Sequence, residues 1–96
     1  MKEDLLKIIK HYGVNAQQRQ FAEEVFELQE AITAYENDYE GLNMGNDTSH
    51  IAEEIADVLN LVEQFMCYYN IDFNEQVLEI KHLKVIRQLE RIKGKR

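Results

Sequence analysis

EEVFELQEAI, residues 23–32, and EEIADVLNLV, residues 53–62, decide how this chain folds. In both, apolar side chains return every three or four positions, the period of an α-helix that buries one face. Working outward from the first stretch, Phe21, Val25, Leu28, Ile32 and Tyr35 form one stripe, so the spacing predicts a long helix over residues 15–39. Its start falls at Asn15, with Gln18 three residues on to complete a capping box. The second stretch extends into a helix over residues 49–69, with Asp47 or Thr48 as its N-cap and a break at Asn70. Between the two lies GLNMGNDT, residues 41–48, whose glycines, asparagines and aspartate are turn chemistry.

The flanks read the same way. Leu5, Leu6, Ile8 and Ile9 mark a short first helix ending near His11, where Gly13 can take the left-handed conformation of a C-terminal cap. Asp72, with Glu75 three residues later, opens a fourth helix that runs to about Lys93, with Gly94 beyond it. Proline is absent and no stretch alternates with the period of a strand. The expectation is an all-α, four-helix bundle in one domain, residues 1–96. Its two long helices, joined by a short loop, should be antiparallel neighbours.

A domain of 96 residues buries only roughly 60–65% of the surface its unfolded chain exposes. Yet 45% of this chain is hydrophobic, with Phe, Tyr, Ile, Leu and Val recurring densely, so the bundle should be completed by a second copy, as a homodimer or homotetramer. The net charge of −7 disfavours general affinity for nucleic acid or anionic membrane, both of which need a basic surface. Basic residues instead crowd the C-terminal quarter: Lys81, Lys84, Arg87, Arg91, Lys93, Lys95 and Arg96. Cys67 is the single cysteine, so neither an intrachain disulfide nor a cysteine zinc motif can form. Lys2, Glu3, Asp4 and Lys7 interrupt the apolar N-terminus and exclude a secretory core, and no apolar run is long enough to cross a bilayer. The expected location is the cytoplasm. No GxxxxGK[ST] occurs, which sets aside P-loop ATPases and GTPases.

The chemistry lies in the carboxylates. Glu24 and Glu27 are three apart and share one helix face; Glu54 and Asp57 repeat that spacing on the next long helix. Within IADVLNLV, residues 55–62, Asp57 and Asn60 are the only polar side chains, and an aspartate of poor helix propensity in so apolar a run calls for a reason. If the helices pack antiparallel, four carboxylates converge and repel one another unless they protonate or share a cation. Oxygen-only ligation suits a hard ion, Mg²⁺ first and Mn²⁺ as a substitute, and Mg²⁺ commonly leaves positions open to substrate phosphates. The competing reading of Glu23, Glu24, Glu27 and Glu30 is a solvated helix face, which leaves Asp57 unexplained.

The paired pattern Glu24-x-x-Glu27 and Glu54-x-x-Asp57, separated by residues 28–53, resembles the ExxE and ExxD signature of the all-α nucleoside triphosphate pyrophosphohydrolases. That superfamily includes MazG-like proteins, dimeric dUTPases and dCTP pyrophosphatases, and the resemblance is carried by residues 17–62. It implies hydrolysis of a (deoxy)nucleoside triphosphate between the α- and β-phosphates, giving the monophosphate and pyrophosphate. It also implies Mg²⁺ held by Glu24, Glu27, Glu54 and Asp57, and Glu24 or Glu27 as general base. Asn60, one turn beyond Asp57, is a candidate for contact with sugar or phosphate. For the base, Tyr12, Gln17 and Phe21 offer stacking and hydrogen bonding, in a region that forms part of the nucleotide pocket in relatives. Lys81, Lys84 and Arg87 line one side of the fourth helix and could bind the triphosphate, if they do not simply form a solvated face.

Two other readings compete. Glu79-x-x-His82 has the spacing of a carboxylate-bridged di-iron bundle, which would leave the Glu24, Glu27, Glu54 and Asp57 set idle. A non-catalytic helical interaction module would make Asp57 the anomaly.

Overall fold

The computed structural model describes residues 1–37 and 47–94. The order of elements is α1 (Lys2–Tyr12), α2 (Val14–Glu36), α3 (Ser49–Tyr68), a π-helical turn (Phe73–Val77) and α4 (Leu78–Ile92). Among the described residues there is no strand, as the all-α reading expects, and no helix is long and apolar enough to cross a membrane.

Glu3 and Asp4 in the first turn of α1, and Lys10 and His11 in its last, complement the helix dipole. The turn into α2 is a single residue. Gly13 donates its N–H to the Ile9 carbonyl (2.8 Å) and adopts φ 93°, ψ 146°. Its positive φ is as expected, but the extended ψ is not that of a left-handed cap; this region is open essentially to glycine alone. The reversal lets α2 begin at Val14, so Asn15 lies inside its first turn, and no side chain caps the start. The anticipated capping box of Asn15 and Gln18 does not form, because the chain has already turned by Gly13. The predicted end of this helix at Tyr39, the turn-forming residues 41–46, and Lys95 and Arg96 lie outside the described residues.

At the start of α3, Asp47 Oδ1 accepts the Ser49 N–H (3.0 Å), and this bond holds the Asp47 carboxyl below its ordinary range. The end of α3 is sharp. Asn70 takes φ 57°, its N–H bonds the Cys67 carbonyl (3.3 Å), and the Ile71 N–H reaches back to Met66 (2.8 Å), a Schellman closure with asparagine in the left-handed position. Asp72 then accepts from the Glu75 N–H (2.9 Å), as its place at the fourth N-terminus requires. The side chain that returns the bond is Gln76, not Glu75 (2.9 Å to the Asp72 N–H). The first turn is π-helical and wider by one residue, which moves the returning position along by one.

The three N-terminal helices form the body. The most extensive packing is between α2 and α3, with α1 laid mainly against α3. Ile9, Ala31 and Leu61 are its buried apolar side chains, and Phe21 meets Phe65 edge to face across the α2–α3 seam (5.8 Å, 83°). By contrast, α4 packs on the π-helical turn that precedes it and shares no extensive contact with α1–α3. Ile80, Leu83, Val85, Ile86, Leu89 and Ile92 on it are exposed. The radius of gyration reflects this projection: 17.0 Å, against about 12–13 Å for a compact domain of this length.

Candidate metal and nucleotide site

Helices α2 and α3 run antiparallel in strict register. Gln17 Nε2 donates to Gln64 Oε1 (2.9 Å), Glu24 meets Asp57, and Glu27 meets Glu54. Each step back along α2 is matched by an equal step forward along α3. A polar ladder therefore runs down the seam, with amides at one end and carboxylates at the other.

At the carboxylate end, Glu24, Glu27 and Glu54 each present one oxygen within 4.8 Å of the others. Like charges about 4 Å apart repel by roughly 4 kcal/mol at the effective dielectric of a protein surface. Gln20, one turn before Glu24, donates Nε2 to Glu24 Oε2 (2.6 Å) and fixes the carboxylate plane. The other oxygens, Glu24 Oε1 and Glu54 Oε1, are buried without any hydrogen-bond partner. An oxyanion left in that condition is costly, whereas a cation placed among the three carboxylates would satisfy both oxygens. Burial raises the proton affinity of Glu24 most. The charges of Glu27 and Asp57, and a hydrogen bond with Asp57, add to it, while the Gln20 bond works against it.

The structure brings the two ExxE/D pairs together, with Asp57 beside Glu24 rather than within the closest triad. Asp57 is exposed in the single chain. Its apolar neighbours share this exposure: Ile55 and Leu59 are 42% and 50% exposed, so among the described residues no helix covers that side of α3. Among the described residues no ion pair joins Asp57 to Lys81.

Next to the carboxylates lies an open pocket of about 220 Å³ lined by Gln17, Gln20, Glu24, Asp57, Asn60, Leu61 and Gln64. It contains Gln17 and Asn60 from the sequence reading. Phe21 is committed to Phe65, and Tyr12 is exposed with its ring against His11 (4.7 Å). Lys81, Lys84 and Arg87 are exposed on α4 and do not line this pocket. Glu79 and His82 also sit exposed on α4, in no metal-competent group among the described residues.

Three participants were not singled out in the sequence. Gln20 and Gln64 stand at helical spacing from Glu24 and Asp57, a signal available in principle but common on any helix. His50 places Nδ1 3.6 Å from Glu53 Oε1 and 3.8 Å from Glu54 Oε2, following the three- and four-residue spacing from those glutamates. It lies beside the outer oxygen of Glu54, while Oε1 is on the buried side.

The sequence profile of the MazG nucleotide pyrophosphohydrolase domain matches residues 14–90. No curated protein and no solved structure matches the chain. The matched span takes in both carboxylate helices and most of α4. On that match over most of its length, the chain belongs to the MazG nucleotide pyrophosphohydrolase family.

Proposed function

We propose that this MazG-family chain hydrolyses (deoxy)nucleoside triphosphates between the α- and β-phosphates with Mg²⁺, or Mn²⁺ in its place, releasing the monophosphate and pyrophosphate. Nucleotide-pool clean-up or control in the cytoplasm is the corresponding role. The observation that carries this reading is the pair of buried, partnerless oxygens on Glu24 and Glu54, converging with Glu27.

Glu24, Glu27, Glu54 and Asp57 would hold the ion. Bound there, a divalent cation supplies charge neutralisation for the phosphates and lowers the pKa of a water molecule. Gln20 holds Glu24 by a hydrogen bond, and His50 lies 3.8 Å from the outer oxygen of Glu54. Of the two candidate bases, Glu24 and Glu27, the exposed and unclamped Glu27 is the one this reading assigns to take the proton from the attacking water. Asn60 and Gln20 line the pocket at the next level of the seam, and this reading assigns them to the sugar.

The working form in this reading is a homodimer or a dimer of dimers. Phe26 on α2 and Leu59 on α3, 58% and 50% exposed, leave the outer face of the carboxylate helices apolar, and among the described residues the apolar side chains of α4 have no extensive packing on α1–α3. Lys81, Lys84 and Arg87 can serve a triphosphate only where assembly brings an α4 to a site. The test is incubation with a panel of nucleoside and deoxynucleoside triphosphates plus Mg²⁺. Monophosphate and pyrophosphate are expected; a diphosphate with orthophosphate would overturn the proposed cleavage position.

A further inference from the structure

The pocket beside the carboxylates has a direction. From Glu24 the lining steps back along α2 to Gln20 and then Gln17; from Asp57 it steps forward along α3 to Asn60, Leu61 and Gln64. The carboxylate and far levels are separated by two helical turns, about 10 Å of rise. A ribose with its base spans a similar length, so a nucleotide whose phosphates lie at the carboxylates brings its base to Gln17 and Gln64.

At that far level both amide side chains are buried, at 8% and 5% exposure, and bonded to each other. The bond uses one donor of Gln17 and one acceptor of Gln64. It leaves the Gln17 carbonyl and the Gln64 amino group to offer a ligand one acceptor and one donor. Neither side chain is ionisable, and among the described residues Leu61 is the one apolar side chain lining the pocket. A ligand seated there would be recognised by hydrogen bonds.

The pair also has a symmetry that a single amide lacks. If both amides reverse together, the bond between them is kept, but the free acceptor and donor exchange places. Cytosine presents an amino donor beside a ring-nitrogen acceptor; uracil presents a keto acceptor beside a ring N–H. The two patterns are related by the same exchange.

We propose that Gln17 and Gln64 form the nucleobase-reading end of this site, and that concerted reversal of the two amides lets it take amino-edged and keto-edged bases alike. The proposal rests on the pyrophosphohydrolase reading for its substrate class, and its test separates the two. In the wild-type protein with Mg²⁺, side-chain amide NMR signals of Gln17 and Gln64 are followed during titration with cytidine or uridine monophosphate and, separately, ribose 5-phosphate. Both signals should move with either nucleotide and not with the sugar phosphate. If they stay fixed at saturating nucleotide, the assignment is wrong whether or not the protein hydrolyses triphosphates.

Kinetics supply the second readout. Wild-type kcat/KM for CTP and UTP should agree within about tenfold, since a site wired for one pattern rejects the other by far more. Replacing Gln64 with methionine should lower the kcat/KM ratio of base-bearing to base-free triphosphate by about 10- to 100-fold, the worth of one or two buried hydrogen bonds. An unchanged ratio in folded Gln64→Met, or a wild-type preference of more than about 100-fold for one base, would overturn the proposal. Absence of hydrolysis with every triphosphate, base-free included, would count against the activity and leave the NMR result to judge the base site.

Discussion

Glu24 and Glu54 converge from antiparallel helices, each with Oε1 sealed from solvent and no donor to satisfy it. Burial first, and then the charges of Glu27 and Asp57, raise the Glu24 pKa above its ordinary range. The native chain therefore holds a proton on Glu24 more tightly than the unfolded chain does. Its contribution to stability is fully present below the unfolded-state pKa and is lost as pH rises through the raised native value. The metal-free protein should gain thermal stability on acidification from neutrality, and Glu24→Gln should flatten that part of the profile. Mg²⁺ competes with the proton, so its stabilising shift should grow as pH rises. Melting curves in chelator and in Mg²⁺ across this range are the check; parallel profiles for wild type and Glu24→Gln would contradict the argument.

The corner between α1 and α2 gives a prediction independent of the metal. A Cβ at Gly13 would meet nothing within 4 Å, so the cost of Gly13→Ala lies in the backbone alone. With φ 93° and ψ 146°, the substitution should destabilise the fold by about 1–3 kcal/mol. Chemical denaturation measures it. A change near zero would mean that the corner relaxes to an ordinary conformation.

The parts of this protein that could be read from sequence are those in which one helix face carries the signal. The stripe through Phe21, Val25 and Leu28, and the spacing of Glu24, Glu27, Glu54 and Asp57, depend only on helical periodicity. Start and stop signals read well where the side chain itself bonds the backbone, as at Asp72, or tolerates a left-handed conformation, as at Asn70. They failed at Asn15 because the turn was taken by Gly13, a residue without a side chain to announce how its ψ would settle. The three- and four-residue spacing of His50 from Glu53 and Glu54 is legible along α3 but common on any helix. Gln64 did not stand out, because its partner Gln17 lies on another helix and is set by the register between α2 and α3. Periodicity along one helix does not carry that register. The same limit applies to Lys81, Lys84 and Arg87, whose basic face was legible while the stance of α4 was not.

That stance leads to a prediction about assembly. Among the described residues, α4 and the outer α2–α3 face expose many large apolar side chains, the kind of surface that association between copies covers. Light scattering should return a multiple of 11.4 kDa. Leu83→Asp should weaken association by about 2 kcal/mol or more if this face is buried between copies. A wild-type protein that stays a stable monomer at high concentration would contradict it.

Asp57→Asn separates a metal ligand from a residue of the helix surface, because the two predict different responses to the same near-isosteric change. Asp57 adds its charge to the field around Glu24, and among the described residues no cation offsets it. Removing that charge relieves repulsion in the metal-free protein, so the chelator melting curve should hold or improve by about 1 kcal/mol. The Mg²⁺-induced shift should shrink sharply in the same variant, since that stabilisation follows ion affinity. Activity should fall by about 100-fold or more, at least what the loss of a group supporting a metal ligand costs. A residue serving only the helix surface would leave both the Mg²⁺ shift and the rate close to wild type. A variant that melts well below wild type in chelator would instead reveal a cation that compensates Asp57 and is not paired with it among the described residues. The paired melts, with and without Mg²⁺, distinguish all three outcomes in a single preparation of each protein.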